Sequence, residues 1–350
     1  SICVNHTTSR GGGINDYLST LVISSCIFSG NRADAGYGGA LNVESGNPTI
    51  ENCTFTRNWS SNLGGSINVN SGGATVNHSR FIGNSSDFGA GAMIVRGPHH
   101  LVSNSTFIGN VAKGYGGALI AVLSDPVVMN CTIVRNFGYY GGGIYDDSNG
   151  LTLANSILWN NTSISHDSEI RNKNQSAWTY LSYSCIKGGY DWGGYDAPEV
   201  IEDPPLFVGS VQSGKAAPIT FDPETGQSTL MCADLLVPHA YTDLVLWLDS
   251  TEVNGRDQAF LVVRNDWVSI TVWGDATEST MGNYDVWDYT LRPDSPCLDT
   301  GRDTSVEDYG FVIDDILGVL RPQDGDGLGA GGTGDGSDYD MGAYEFVPQL

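Results

Sequence analysis

The sequence predicts an all-β chain, a right-handed parallel β-helix (a solenoid) with a small inserted β unit and an acidic C-terminal cap. Three observations carry this. An apolar anchor recurs at Ile2, Phe28, Phe55, Phe81, Phe107, Ile133 and Leu158, in steps of 26, 27, 26, 26, 26 and 25 residues. Other columns keep phase with it: Ile23, Ile50, Val76, Val102, Val128, Leu153 and Leu181 stand five residues before an anchor position, and Asn5, Asn31, Asn58, Asn84, Asn110, Asn136 and Asn161 three after. Between them lie short period-two stretches such as Leu41-Asn42-Val43 and Ile67-Asn68-Val69, broken by Gly and Asn turns, with no helix-length amphipathic window.

A single coil of such strands cannot bury its apolar side. Coils stacked about 4.8 Å apart can, by placing like residues on like. Recurrent Asn suits the corners because it tolerates left-handed backbone and bonds neighbouring amides. A Gly-Gly-small-apolar string ends at Ile14, Leu41, Ile67, Met93, Leu119 and Ile144, where Gly permits positive φ or close backbone approach. Residues 1–209 are therefore expected to form seven or eight coils. The period is lost over 210–283, where Leu244–Leu248, Ala259–Val263 and Val268–Trp273 read as ordinary strands of an inserted unit. Residues 284–350 read as closing strands with an acidic Gly/Asp loop, the expected cover for the open edge of the last coil. Ile2 and Asn5 already stand in register, so the first coil begins abruptly and its edge is left for a preceding segment or another molecule.

The strings Asn52-Cys53-Thr54-Phe55, Gly64-Gly65-Ser66-Ile67 and Gly116-Gly117-Ala118-Leu119 resemble the polymorphic outer-membrane-protein type of β-helix repeat. Near the C-terminus, Asp203-Pro204-Pro205-Leu206-Phe207, the run from Asp288 to Gly301 and the run from Asp340 to Phe346 resemble the closing segments of bacterial choice-of-anchor Q β-helix proteins, within the pectate-lyase-like superfamily. That resemblance implies a secreted or cell-surface protein. It leaves the activity open, because the group holds both enzymes and surface proteins.

Charge narrows the partners. The chain carries 40 acids against 16 bases, net -24. Residues 1–150 hold 8 acids and 7 bases, whereas 151–350 hold 32 and 9. Nucleic acid is excluded as a partner for want of a basic face. No apolar run is long enough for a transmembrane helix. The seven cysteines include Cys26, Cys53 and Cys131 in one column that elsewhere holds Ser79, Ser105 and Ser156, which suggests small buried side chains and leaves a Cys26–Cys53 disulfide open.

Two site candidates emerge. Asp324, Asp326, Asp335, Asp338 and Asp340 crowd carboxylates onto a Gly-rich backbone, the oxygen-rich setting that Ca²⁺ favours as a structural ion; a solvated acidic surface is the alternative. In the strand after each Gly-Gly, Ile94, Ile120, Val122 and Tyr145 are expected to point outward as an apolar patch covered by the inserted unit or by another protein molecule. Groups with catalytic potential (His99, His100, Lys113, Arg135, Tyr140, Asp167, Glu169, Arg171 and Lys173) show no spacing that fixes an acid–base pair. Three functions stay open: a surface structural or adhesive protein, self-associating or held in an extracellular assembly; a polysaccharide lyase or glycoside hydrolase; and a non-catalytic carbohydrate-binding module using Tyr37, Tyr115, Tyr140 or Trp159.

Overall fold

The structure, a computed structural model, describes residues 2–148, 150–165, 168–173, 178–189, 200–249, 257–279, 282–298, 300, 315–317 and 340–344. Among them there is no helix. Each coil contributes four short strands, as in Leu41–Val43, Thr49–Glu51, Thr54–Thr56 and Trp59–Ser60. Each strand pairs in parallel with its counterpart one coil on, so Leu41 sits on Ile67, Ile50 on Val76, Phe55 on Phe81 and Trp59 on Ser85. Four parallel sheets result, one of eight strands and three of seven. We name them, in chain order round the coil, the Gly–Gly, aliphatic, Phe and Asn-corner sheets.

The predicted registry is observed. Phe28, Phe55, Phe81 and Phe107 form one vertical file with ring centroids 4.8, 5.0 and 4.6 Å apart and planes within 5° of parallel. Ile133, Leu158 and Ile186 continue the file, fully buried. The aliphatic file and the Leu41–Ile67–Met93–Leu119–Ile144 file complete the core.

The recurrent asparagines form a second continuous structure, a buried ladder. Asn58 donates from its backbone N and its Nδ2 to Oδ1 of Asn84 in the coil above, at 3.0 Å each, and its Nδ2 also donates to the carbonyl of Phe28 below at 2.9 Å. The same pattern runs from Asn5 through Asn31, Asn84, Asn110 and Asn136 to Asn161. The residue just before each ladder Asn adopts left-handed backbone: Val4, Gly30, Arg57, Gly83, Gly109, Arg135 and Asn160, with φ between 52 and 64°. Ser79, Ser105 and Ser156 make a smaller ladder of the same kind, accepting from the next N–H below and donating to a carbonyl two residues back. Cys53 and Cys131 fill the same column and donate to carbonyls in the same way, with no disulfide to Cys26.

The inserted unit is a closed antiparallel barrel whose neighbouring strands are, in order, Phe207–Asp222, Gln227–Cys232, Ser269–Trp273, Gln258–Asn265, Val245–Leu248 and Asn283–Leu291. It is larger than the 210–283 expected from lost periodicity. Its first strand begins at Phe207, and Asp288-Tyr289-Thr290-Leu291 belongs to its last strand rather than to the closing segment. Loss of period marks where the solenoid stops, near Ile186, and carries no information on where the barrel starts. After the last coil, Ile201 bridges Cys185, and Val200 packs against the solenoid core. The described C-terminal residues 340–344 lie instead on the outer side of the Phe sheet, where Met341 joins Ile157 and Cys185. The acidic loop expected to cap the last coil falls outside the described residues.

The Asn ladder ends on Glu169, which accepts a hydrogen bond from Asn161 Nδ2. Burial holds this carboxyl well above its ordinary range, at about 7 against 4.5, although Asn161 partly opposes the shift. A native pKa above the unfolded one means that the protonated acid suits the fold. The stability this confers is complete below pH 4.5 and is lost by about pH 7, a span worth about 3 kcal/mol at most. Glu169→Gln keeps an acceptor for Asn161 and removes the charge. Urea denaturation should therefore find the variant equal to the parent at pH 4 and more stable by up to about 3 kcal/mol at pH 8. A difference independent of pH would exclude this account of Glu169.

Candidate functional site

Strand alternation decides which solenoid face receives the barrel. In the Phe sheet the residue after each anchor points outward, giving the file Ile82, Ile108, Val134 and Trp159. In the barrel, Leu246, Phe260 and Val262 face its own core, while Val245, Trp247, Ala259 and Leu261 face the solenoid. The two outward sets form one buried cluster with Tyr289, each Ile or Val contributing about 1.5–3 kcal/mol of apolar burial.

The left-handed column before the ladder Asn supplies the fastenings. A Cβ on Gly83 would lie 2.2 Å from the Ala259 carbonyl, and one on Gly109 would lie 2.5 Å from the Ala259 Cβ. The barrel thus rests directly on backbone at these two coils. At the flanking coils the same position is arginine. Arg57 lies 4.5 Å from the Phe260 ring centroid and donates to Gln258 at 2.6 Å. Arg135 lies 4.8 Å from the centroid of Trp247 and 4.0 Å from that of Trp287. Burial lowers the Arg57 pKa to about 10, opposed by the charges of Glu278 and Asp275, so the guanidinium stays charged at neutral pH. Arg80 adds an ion pair to Asp243 at 2.9 Å.

Beside this interface opens a cleft of about 530 Å³, bounded by the Asn-corner sheet on one side and by the barrel on the other. The solenoid wall carries Arg32, Trp59, Ser85, Asp87, Val111 and Lys113; the barrel wall carries Asp257, Gln258, Asp275 and Glu278. The Arg32 guanidinium lies 3.8 Å from the Trp59 ring centroid and is itself held by Asp34 at 2.5 Å. Trp59 stands between Arg32 and Ser85 in its sheet, and Ser85 is too small to cover the second face of the indole. Lys113 pairs with Asp87 at 2.7 Å. Asp257 is held above the ordinary carboxylate range by desolvation and then by the neighbouring Asp249 carboxyl. The cleft thus offers one half-buried aromatic platform between a basic and an acidic wall.

The residues singled out from sequence go elsewhere. Ile94, Ile120 and Tyr145 are buried and Val122 half-buried, and they pack with one another and with Leu63, Ala90 and Tyr115 rather than with the barrel. The turns preceding each Gly-Gly fold back over this column: Leu63, Gly89, Tyr115 and Tyr140 bridge one another in parallel, and Tyr115 packs on Tyr145 with centroids 4.8 Å apart. Asp324, Asp326, Asp335 and Asp338 lie outside the described residues, and Asp340 is fully buried. No group of three or more metal-binding side chains occurs among the described residues. Lys113 lines the cleft, while Arg135 lies beneath the barrel. His100 is buried, with Nδ1 accepting from Ala74 N at 2.9 Å, and Lys173 pairs with Asp147. Asp167 is outside the described residues. Sequence reasoning missed Trp59, Arg57 and the barrel carboxylates. For the first two a signal existed, since Arg57 interrupts a Gly column and Trp59 is the indole in a file of smaller or polar residues.

The docking geometry makes a sharp demand on Gly109, which has a φ of +64° and a Cβ direction filled by Ala259 and Trp247. Gly109→Ala should cost at least about 2 kcal/mol and loosen the barrel first. Hydrogen exchange should show lost protection over 245–248 and 258–261, with the Asn ladder amides retained. Uniform protection in the variant would mean that the barrel does not rest on this glycine.

Residues 19–177 match a family model described as the right handed beta helix region. No curated protein and no solved structure matches the chain. The match covers the regular coils and stops short of the barrel, so the solenoid is a right-handed β-helix, and the cleft lies where that helix meets a unit outside the matched region.

Proposed function

We propose that the protein is an extracellular or cell-surface scaffold of the adhesive kind, whose ligand is a carbohydrate chain held in the cleft between solenoid and barrel. The observation that carries this reading is Trp59, an indole with one face braced by Arg32 and the other left open by Ser85 inside a cleft of about 530 Å³. An aromatic face bordered by carboxylates, amides and cations fits a ring that is apolar on its faces and rich in hydroxyls at its rim. A second aromatic strip, with Tyr115 and Tyr140 stacked at 5.3 Å and Phe88 edge-on at 5.7 Å, supports the same class of ligand along the solenoid axis.

One observation favours a second reading, hydrolysis of the glycan at the same cleft. The raised pKa of Asp257 suits a carboxyl that must hold a proton for a leaving oxygen.

Binding to immobilised neutral glucans and to polyuronates, followed by tryptophan fluorescence, tests both readings. Trp59→Ala should weaken binding at least tenfold, the usual consequence of truncating a central tryptophan. Reducing ends released by the parent and not by Asp257→Asn would establish the hydrolase. Absence of binding to every glycan class would overturn the carbohydrate reading.

A further inference from the structure

We infer that the cleft beside Trp59 selects chains of cationic amino sugars over neutral and acidic ones, an inference that rests on the carbohydrate reading of this site. What decides it is which charges in the cleft are already answered. Asp87, Asp257, Asp275 and Glu278 line the cleft together with Arg32, Arg57 and Lys113, and Asp34 stands behind Arg32.

The cations are spent. Arg32 donates to Asp34, which also takes a hydrogen bond from His6. Lys113 pairs with Asp87 at 2.7 Å. Arg57 donates to Gln258 and lies against the Phe260 ring. The barrel wall is different. Asp257, Asp275 and Glu278 are all exposed, and among the described residues no ion pair reaches any of them. Asp275 accepts from Thr277 N and Oγ1 within its own turn, which leaves its charge in place. Asp275 and Glu278 share the field of one guanidinium, that of Arg57. The unanswered charge of the cleft is therefore negative, and it faces the open side of Trp59 from the barrel.

That arrangement discriminates among sugars. A uronate ring laid on Trp59 would bring its carboxylate towards three others, with the nearby cations already paired. A neutral ring would gain the indole face and leave the carboxylates to water. An amino sugar gains both. Its apolar ring face stacks on the indole, its ammonium makes charge-assisted hydrogen bonds to the barrel carboxylates, and a cation over the open indole face is itself favourable. Arg32 on the braced face does not oppose it, because Asp34 holds that charge. A lysine-rich peptide shares the positive charge, but its side chains present no ring to the indole, so the amino sugar is the better fit.

Titration calorimetry of the full chain tests this, using a glucosamine hexamer, its N-acetylated counterpart and an oligogalacturonate at mildly acidic pH and low salt. The glucosamine hexamer should bind about tenfold more tightly than the N-acetylated one, the return from two or three solvent-exposed charge pairs, and the margin should shrink in high salt. Asp275→Asn combined with Glu278→Gln should bring the glucosamine hexamer down towards the affinity of the N-acetylated one. Should that variant fail to fold, the ratio of the two hexamers on the parent still decides. Equal affinity for the two hexamers, or tighter binding of oligogalacturonate, would overturn the inference and leave the carbohydrate reading standing. Failure of all three sugars to bind would overturn the inference together with that reading. A lysine hexamer bound as tightly as the glucosamine hexamer, with no loss in Trp59→Ala, would mark a peptide site and overturn it as well.

Discussion

The structure depends on one buried constraint, the register of the asparagine ladder. From Asn58 to Asn136 each amide bridges three coils, taking two N–H groups from the Asn below, giving one Nδ2 hydrogen to the Asn above and the other to a Phe carbonyl below. Aspartate lacks the donors, and glutamine is one methylene too long to sit flat in the corner. A slip of one residue would strand two donors and an acceptor in every coil, at about 1–3 kcal/mol for each group. The repeat accommodates this with little cost. Coil length varies from 25 to 27 residues, yet each anchor from Phe28 to Leu158 precedes its Asn by the same three positions. The variation is taken up in the loops, where no ladder runs.

A ladder with a direction must end on an acceptor. The Asn-to-Asn bonds all run towards the C-terminal end, so the last amide, Asn161, needs an oxygen that asks for no donor in return. Glu169 supplies it from the next turn of chain, which ties the final coil to the polarity of those before it. The conflict between that role and the burial of a carboxyl shows as the raised pKa. The ladder is therefore strongest where Glu169 is protonated and under electrostatic load above neutrality.

The inner files were readable from sequence because stacking repeats identical chemistry at a constant spacing, and Phe28, Phe55, Phe81 and Phe107 can satisfy that spacing in one way only. The outer face was less readable for a physical reason. Alternation tells which residues point outward and says nothing about what covers them. Ile94, Ile120 and Tyr145 on one sheet and Ile82, Ile108 and Val134 on another are equally apolar and equally outward in the strand pattern. The first file is roofed by the chain's own turns and the second by the barrel. The barrel could be anticipated as strands but not in extent, since Asp288–Leu291 resembles a closing segment and yet completes a sheet that begins at Phe207. The cleft, with one wall from each unit, had no local signature at all.

What distinguishes the site is departure from the repeat. Left-handed backbone costs a non-glycine residue roughly 1–2 kcal/mol, so Gly would serve best at every corner before a ladder Asn. Gly stands at 83 and 109, where the barrel leaves no space for a Cβ, and Arg at 57 and 135, where the backbone strain is the same. The strain there is offset by the cation–π contacts of each guanidinium with barrel aromatics, worth about 2 kcal/mol when desolvated. Trp59 is a departure of the same kind, an indole in a file otherwise made of smaller side chains, and it too sits where the solenoid stops being self-sufficient. In a chain whose inner columns are dictated by stacking, a residue that breaks an outer column answers to something other than the solenoid. Along this one, Arg57, Trp59 and Arg135 all answer to the barrel or to the cleft beside it.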